Sequence, residues 1–167
     1  MCGGEPRGAA QAVERRTVDK PTHLIEFETM LLGRHLQPGA IRSRRGGHLD
    51  RSAYTLLSRI RMEGPMSIGQ LSEAFGLDAS TLNRQTAAML RAGLVERIPD
   101  PDGGIARKFR ITGAGERGLD AEREANISGL ERVMAEWSPD EVADFAAYLK
   151  RFNSDIEHLD GRPWPRP

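Results

Sequence analysis

The stretch from Ser67 to Arg97, SIGQLSEAFGLDASTLNRQTAAMLRAGLVER, constrains this chain more than any other. Ser67 with Gln70 three residues later has the form of a capping box, which ties down the free backbone N–H groups of a helix start. Leu71, Ala74 and Phe75 then recur at helical spacing, and Gly76 supplies a stop. Asp78 is placed to cap a second helix that Gly93 ends. Taking about 100° per residue, Ser80, Asn83, Arg84, Ala87 and Arg91 fall within about 60° of one line. Leu82, Thr86 and Met89 fall on the opposite side. One face of the second helix can therefore pack on the first, while the other presents small polar groups and guanidinium groups.

A polar helix face alone would describe any solvated surface; the segment after the second helix is more specific. GLVER leads into IPDPDGGIARKFRIT, which has the form of a β-hairpin. Asp100-Pro101-Asp102-Gly103-Gly104 is dense turn chemistry, with Pro fixing φ and Gly admitting positive φ. Phe109 and Ile111 alternate with Lys108 and Arg110, which predicts one buried strand face and one basic one. Met66 and Ile68, flanking Ser67, can supply a short strand to pair with this hairpin. Helix, turn, helix and basic hairpin make a winged helix-turn-helix. In that architecture the second helix enters the DNA major groove, where slim residues allow close approach. Arg84 can pair bidentately with a guanine and Asn83 with an adenine.

Charge is distributed to match. The net charge of the 167 residues is zero, yet residues 34–112 carry 13 Lys/Arg against 7 Asp/Glu. Residues 113–167 carry 7 against 12. A basic middle is what phosphate contacts use. Aromatic content of 5% argues against a single-strand binder built on stacking platforms. No apolar run approaches the roughly 18 residues of a membrane span, and no apolar segment marks a secretory leader, so a soluble, cytoplasmic protein is expected. The single cysteine, Cys2, excludes an intrachain disulfide framework.

Residues 1–17 lack apolar periodicity and read as a disordered tail, in which Cys2 has no fixed partner to lower its pKa. A helix is expected from Asp19 to Leu36, with Leu24, Phe27 and Leu31 as its stripe and Ile25, Met30, Leu32 and Leu36 widening it. So wide an apolar arc wants partners on two sides. Residues 37–49 form a basic connection containing Arg42, Arg44 and Arg45. Leu49 to Glu63 is the next helix, with Ala53, Leu56, Leu57 and Ile60 at core spacing and Gly64-Pro65 as its stop. A long helix is expected from near Thr112 to about Trp137. Ser138-Pro139-Asp140-Glu141 restarts the chain as N-cap, N1 and N3. Val142, Phe145, Leu149, Phe152 and Ile156 form its stripe, and the tail GRPWPRP ends helix formation. The stripes on 24–36 and 142–156 hold more apolar surface than one chain of this length can hide, which predicts a homodimer.

These features together resemble the MarR family of transcriptional regulators. The resemblance covers roughly residues 20–158 and is strongest from Leu71 to Thr112, through STLNRQTAAMLRAGLVER, the DPDGG turn and the RKFRIT strand. It implies an all-α fold with a small β-hairpin wing: a winged helix-turn-helix over 49–112, with dimerisation helices in 18–48 and 113–160. It implies a homodimer on double-stranded DNA, its operator an inverted repeat. A repressor or activator is implied, commonly released by a small aromatic or anionic effector. The effector pocket would lie where the N-terminal, 49–63 and 113–137 helices meet, with His35 and Tyr54 as lining candidates. DNA contacts are assigned to Ser80, Thr81, Asn83, Arg84, Arg91, Arg107 and Lys108. The sequence departs from the family at the wing tip, where Asp102-Gly103-Gly104-Ile105 stands in place of the usual arginine. Arg107 is then the residue expected to reach the minor groove, or else the wing contacts phosphates alone.

Enzymatic readings find no support. His23, His35, His48 and His158 are far apart in sequence, and no CxxC, HExxH, P-loop or nucleophile elbow occurs. No cofactor or metal is called for. The rival from another class is a winged-helix module for protein–protein contact; the Asn83/Arg84/Arg91 face and the basic middle favour DNA.

Overall fold

The computed structural model describes residues 20–35 and 49–166. The proposed tail over 1–17, Cys2, and the arginines at 42, 44 and 45 lie outside the described residues. The chain forms two compact units that part after Leu36. The first contains α1, Thr22–His35, which starts just after Pro21 and carries exposed Leu24, Ile25, Phe27 and Met30.

The second unit runs α2 (Arg51–Glu63), β1 (Met66–Ser67), α3 (Ile68–Phe75), α4 (Ala79–Arg91), β2 (Val95–Ile98), β3 (Lys108–Ile111), α5 (Gly113–Val133) and α6 (Pro139–Asp160). Each helix start has its chemical cause. Asp50 accepts the Ala53 N–H at 2.7 Å, and Thr112 accepts the Gly115 N–H at 3.1 Å. Both capping boxes form: Ser67 with Gln70, and Ser138 with Glu141 behind Pro139. Each box satisfies two backbone donors that a helix start otherwise leaves to water.

The strands form one antiparallel sheet in the order β1-β3-β2. Met66 faces Phe109, and Arg97 faces Phe109 from the other side. The core gathers Leu49, Ala53, Leu56, Leu57 and Ile60 from α2 and its approach, Leu71 from α3, and Leu82 and Met89 from α4. Val95, Phe109 and Leu119 close it from the sheet and α5. All four α2 positions expected at core spacing are buried, as are Leu82, Thr86 and Met89 on the inner side of α4.

The C-terminal half differs from the expected bounds in one place. α5 stops at Val133, because the backbone turns out of helical geometry at Met134. Trp137 then donates its backbone N–H to the Met134 carbonyl, and its ring packs edge-on against Phe145 with centroids 5.5 Å apart. α6 buries none of its residues: Phe145, Leu149, Phe152 and Ile156 are 38–47% exposed.

Candidate nucleic-acid interface

The turn between α3 and α4 fixes the recognition helix. Gly76 sits at φ 62°, a left-handed conformation that costs a residue with a Cβ. The Ser72 hydroxyl donates to the Leu77 carbonyl at 2.6 Å and closes the turn. Asp78 then caps α4, accepting the Thr81 N–H at 2.9 Å. It also accepts both neighbouring hydroxyls, Ser80 on one oxygen and Thr81 on the other, the latter at 2.7 Å. These donors, the Ser80 hydroxyl foremost and then that of Thr81, hold the Asp78 carboxyl well below the usual carboxylate range. The carboxylate also faces the positive end of the helix dipole.

Ser80 and Thr81 therefore spend their hydroxyl protons internally and offer oxygen lone pairs outward. Arg84 uses one: its Nη2 donates to Thr81 Oγ1 at 3.3 Å, so the guanidinium lies toward the N-terminal turn. Asn83, Arg84 and Arg91 are exposed on the outer side of α4, and none makes an ion pair among the described residues. Here the structure brings together what the sequence assigned to one face: Ser80, Asn83, Arg84 and Arg91 all share it, with Thr81 half-buried at its edge.

The wing is different. Lys108, expected on the exposed basic face of β3, is 7% exposed. Its ammonium lies 2.7 Å from Asp100 Oδ1 and 2.9 Å from Asp102 Oδ2. The expected exposure of Lys108 is corrected on that ground, and with it the free charge that a DNA contact would use. The reason is the loop between β2 and β3, which folds both carboxylates back over the strand and overrides its alternation. Asp100 also accepts the Asp102 N–H at 3.0 Å, and the Gly103 N–H closes on the Asp100 carbonyl at 3.1 Å. A Cβ at Gly104 would overlap Asp100 Oδ2, so this close approach requires glycine. The lysine, before the backbone donors, holds Asp100 below its ordinary range, and the two carboxylates raise Lys108 in turn. Arg110 is exposed but bound through Nε and Nη2 to Glu96 on the neighbouring strand, at 3.0 and 2.8 Å.

Arg107 is exposed and makes no hydrogen bond or ion pair among the described residues. It shares a groove of about 380 Å³ with Ser67, Ile68, Gly69, Arg97 and Phe109, between the start of α3 and the wing. Arg97 was missed in the sequence. Its guanidinium stacks over the Phe109 ring at 5.3 Å, which holds it beside Arg107. Alternation places Arg97 on the face of buried Val95, so the strand pattern gave no signal of its exposure.

Of the two effector-pocket candidates, His35 is exposed at the end of α1, and Tyr54 is half-buried on α2 against the core. Tyr54 lines neither the groove beside the wing nor a second groove of about 350 Å³ between the start of α2 and α4, which Arg84 and Gln85 border. Among the described residues no group of three or more His, Cys, Asp or Glu could hold a metal ion. No described helix is long and apolar enough to cross a membrane.

A model of the MarR family matches residues 49–103. The uncharacterized HTH-type transcriptional regulator YxaD of Bacillus subtilis (strain 168) is 36% identical over 133 residues, spanning 80% of this chain and 93% of the relative. Among solved structures, a MarR family protein from Bacillus stearothermophilus is similar at a TM-score of 0.65 and 23% identity, over 87% of this chain and 99% of that one. The PcaV transcriptional regulator from Streptomyces coelicolor, solved in complex with its natural ligand, is similar at a TM-score of 0.57 and 22% identity, over 84% and 96%. At such identities the solved structures speak to the fold; the relative and the family match speak to descent.

Proposed function

Because this chain belongs to the MarR family of DNA-binding transcriptional regulators, we propose that it is a homodimeric repressor of an inverted-repeat operator, released by a small-molecule effector. The observation that carries the reading is the outer side of α4. Asn83, Arg84 and Arg91 stand exposed there while Leu82, Thr86 and Met89 anchor the opposite side in the core. Ser80, Thr81, Asn83 and Arg84 occupy the first turns, the part of a recognition helix that reaches base edges. Arg91, Arg97 and Arg107 are assigned to phosphates or, for Arg107, the minor groove.

Dimerisation is proposed from the apolar faces left in water. Leu24, Ile25, Phe27 and Met30 on α1 and Phe145, Leu149, Phe152 and Ile156 on α6 are exposed in the single chain. Apolar patches of that extent mark interaction surfaces. Sedimentation at micromolar concentration should give twice the 18.5 kDa of one chain. Leu149→Asp should return the single-chain mass with helicity intact, since that side chain is 38% exposed in the monomer.

For the effector, membership of the family makes small aromatic and anionic molecules the first to screen. Tyr54 and His35 are the first positions to substitute. Footprinting on the DNA flanking its own coding region tests the whole reading. A protected inverted repeat with half-sites about one helical turn apart is expected. Affinity independent of salt would instead favour a protein partner, because phosphate binding weakens steeply as salt rises.

A further inference from the structure

α6 ends at Asp160, but its attachment to the rest of the molecule lies beyond it. Gly161 takes a left-handed turn, and residues 162–166 run back over α2 and α3. Trp164 meets Phe75 edge-to-face, with ring centroids 5.5 Å apart. The guanidinium of Arg59, a buried residue of α2, lies 5.0 Å from the Trp164 ring centre. Arg59 also donates from Nη1 to the Pro163 carbonyl at 3.1 Å, while its Nη2 pairs with Glu63 at 2.7 Å. The Arg162 guanidinium lies against Gly76, so that a Cβ there would stand 2.7 Å from Arg162 Cζ. At its other side the tail is tied to α6: Glu157 accepts the Trp164 backbone N–H at 3.1 Å and two Arg166 N–H groups at 2.7 and 2.8 Å.

A six-residue segment thus joins the end of α6 to α2, to the last residue of α3 and to the turn before the recognition helix. α6 itself buries no residue, so its own side chains do little to fix its end against those elements. We propose that this tail is a strap that sets the angle between α6 and the helix-turn-helix, with Trp164 and Arg59 as positioning residues. The inference rests on the homodimer reading. With α6 in the dimer interface, the strap fixes the separation of the two recognition helices and therefore the half-site spacing the protein accepts. Two linked sites gain from each other only when both can be engaged at once.

The test is a set of duplexes in which the two half-sites are moved one or two base pairs closer or farther. Wild-type protein should lose affinity on the order of 100-fold at two base pairs from the optimum. Trp164→Ala should lose affinity at the optimum and flatten the series to within about 5-fold, while binding to a single half-site stays unchanged. Trp164→Phe, which keeps a ring under Arg59, should restore the preference. Arg166→Ala releases the strap without touching the core and should flatten the series in smaller measure, which keeps the test valid if Trp164→Ala folds poorly. Equal loss at every spacing, or an unchanged series, in a protein that sediments as a dimer would overturn the strap alone. A wild-type protein that sediments as a monomer and ignores spacing would overturn the dimer reading and the strap with it.

Discussion

The recognition helix and the wing both combine basic side chains with carboxylates, and use them in opposite ways. On α4 a single carboxylate, Asp78, is consumed by the helix start, and the cations beyond it stand bare. On the wing two carboxylates are spent on Lys108 and a third, Glu96, on Arg110. Of the basic residues from 97 to 110, Arg97 and Arg107 are left facing the solvent without a carboxylate partner among the described residues. A stretch that looks as basic as its neighbour in sequence therefore offers much less free charge. Counting lysines and arginines measures potential; only the pairing shows what remains for a phosphate.

This contrast can be broken by measurement. The largest effect should be at Arg84, where replacement by alanine should cost about 1–3 kcal/mol on the operator and relax the preference at one position of each half-site. If operator and random duplex lose affinity by the same factor, Arg84 is a phosphate contact and α4 is no more discriminating than the wing. Arg107→Ala should come next, weakening all sequences about equally and lowering the slope of log affinity against log salt by about 1 per half-site. Lys108→Ala should leave that slope as it is, because its charge is already matched. Its effect should appear as a lower melting temperature and faster proteolysis between Pro99 and Arg107. A slope reduced as much as in Arg107→Ala would show that the lysine is free in solution.

The smallest effect is on pH. Asp78 titrates below its ordinary value of 3.8 in the folded chain, so its contribution is complete above that value and is lost as pH falls through the depressed one. As pH falls below 3.8 the melting temperature of the wild type should fall more than that of Asp78→Asn, whose amide does not titrate. Parallel curves would mean that the two hydroxyls do not hold the carboxylate as described.

What the sequence made legible was local. Ser67 with Gln70, Asp78, and Ser138 with Glu141 are short-range devices, and each operates where the spacing predicts. The inner side of α4 and the core face of α2 follow from periodicity, because a helix has one apolar side whatever it meets. Periodicity does not say what covers that side. The stripe of α2 supplies Leu57 at 0% exposure, whereas the equally regular stripe of α6 leaves Phe152 at 47%. Lys108 was misread because alternation describes a flat strand, and the loop that buries it is set by side chains six and eight residues away. The tail was legible only as an end to α6. Nothing near Trp164 in sequence announces that it returns to Phe75, 89 positions earlier.

The interlock of Asp100, Gly104 and Lys108 also limits which substitutions this wing tolerates. An arginine at position 104 would meet the Asp100 carboxylate that pairs with Lys108, and losing that carboxylate would leave the buried ammonium with Asp102 alone. A guanidinium at that position therefore requires the Asp100 side chain to leave its place beside Lys108. Ile105, wholly exposed beside these residues, is outside this interlock and can be replaced without disturbing it.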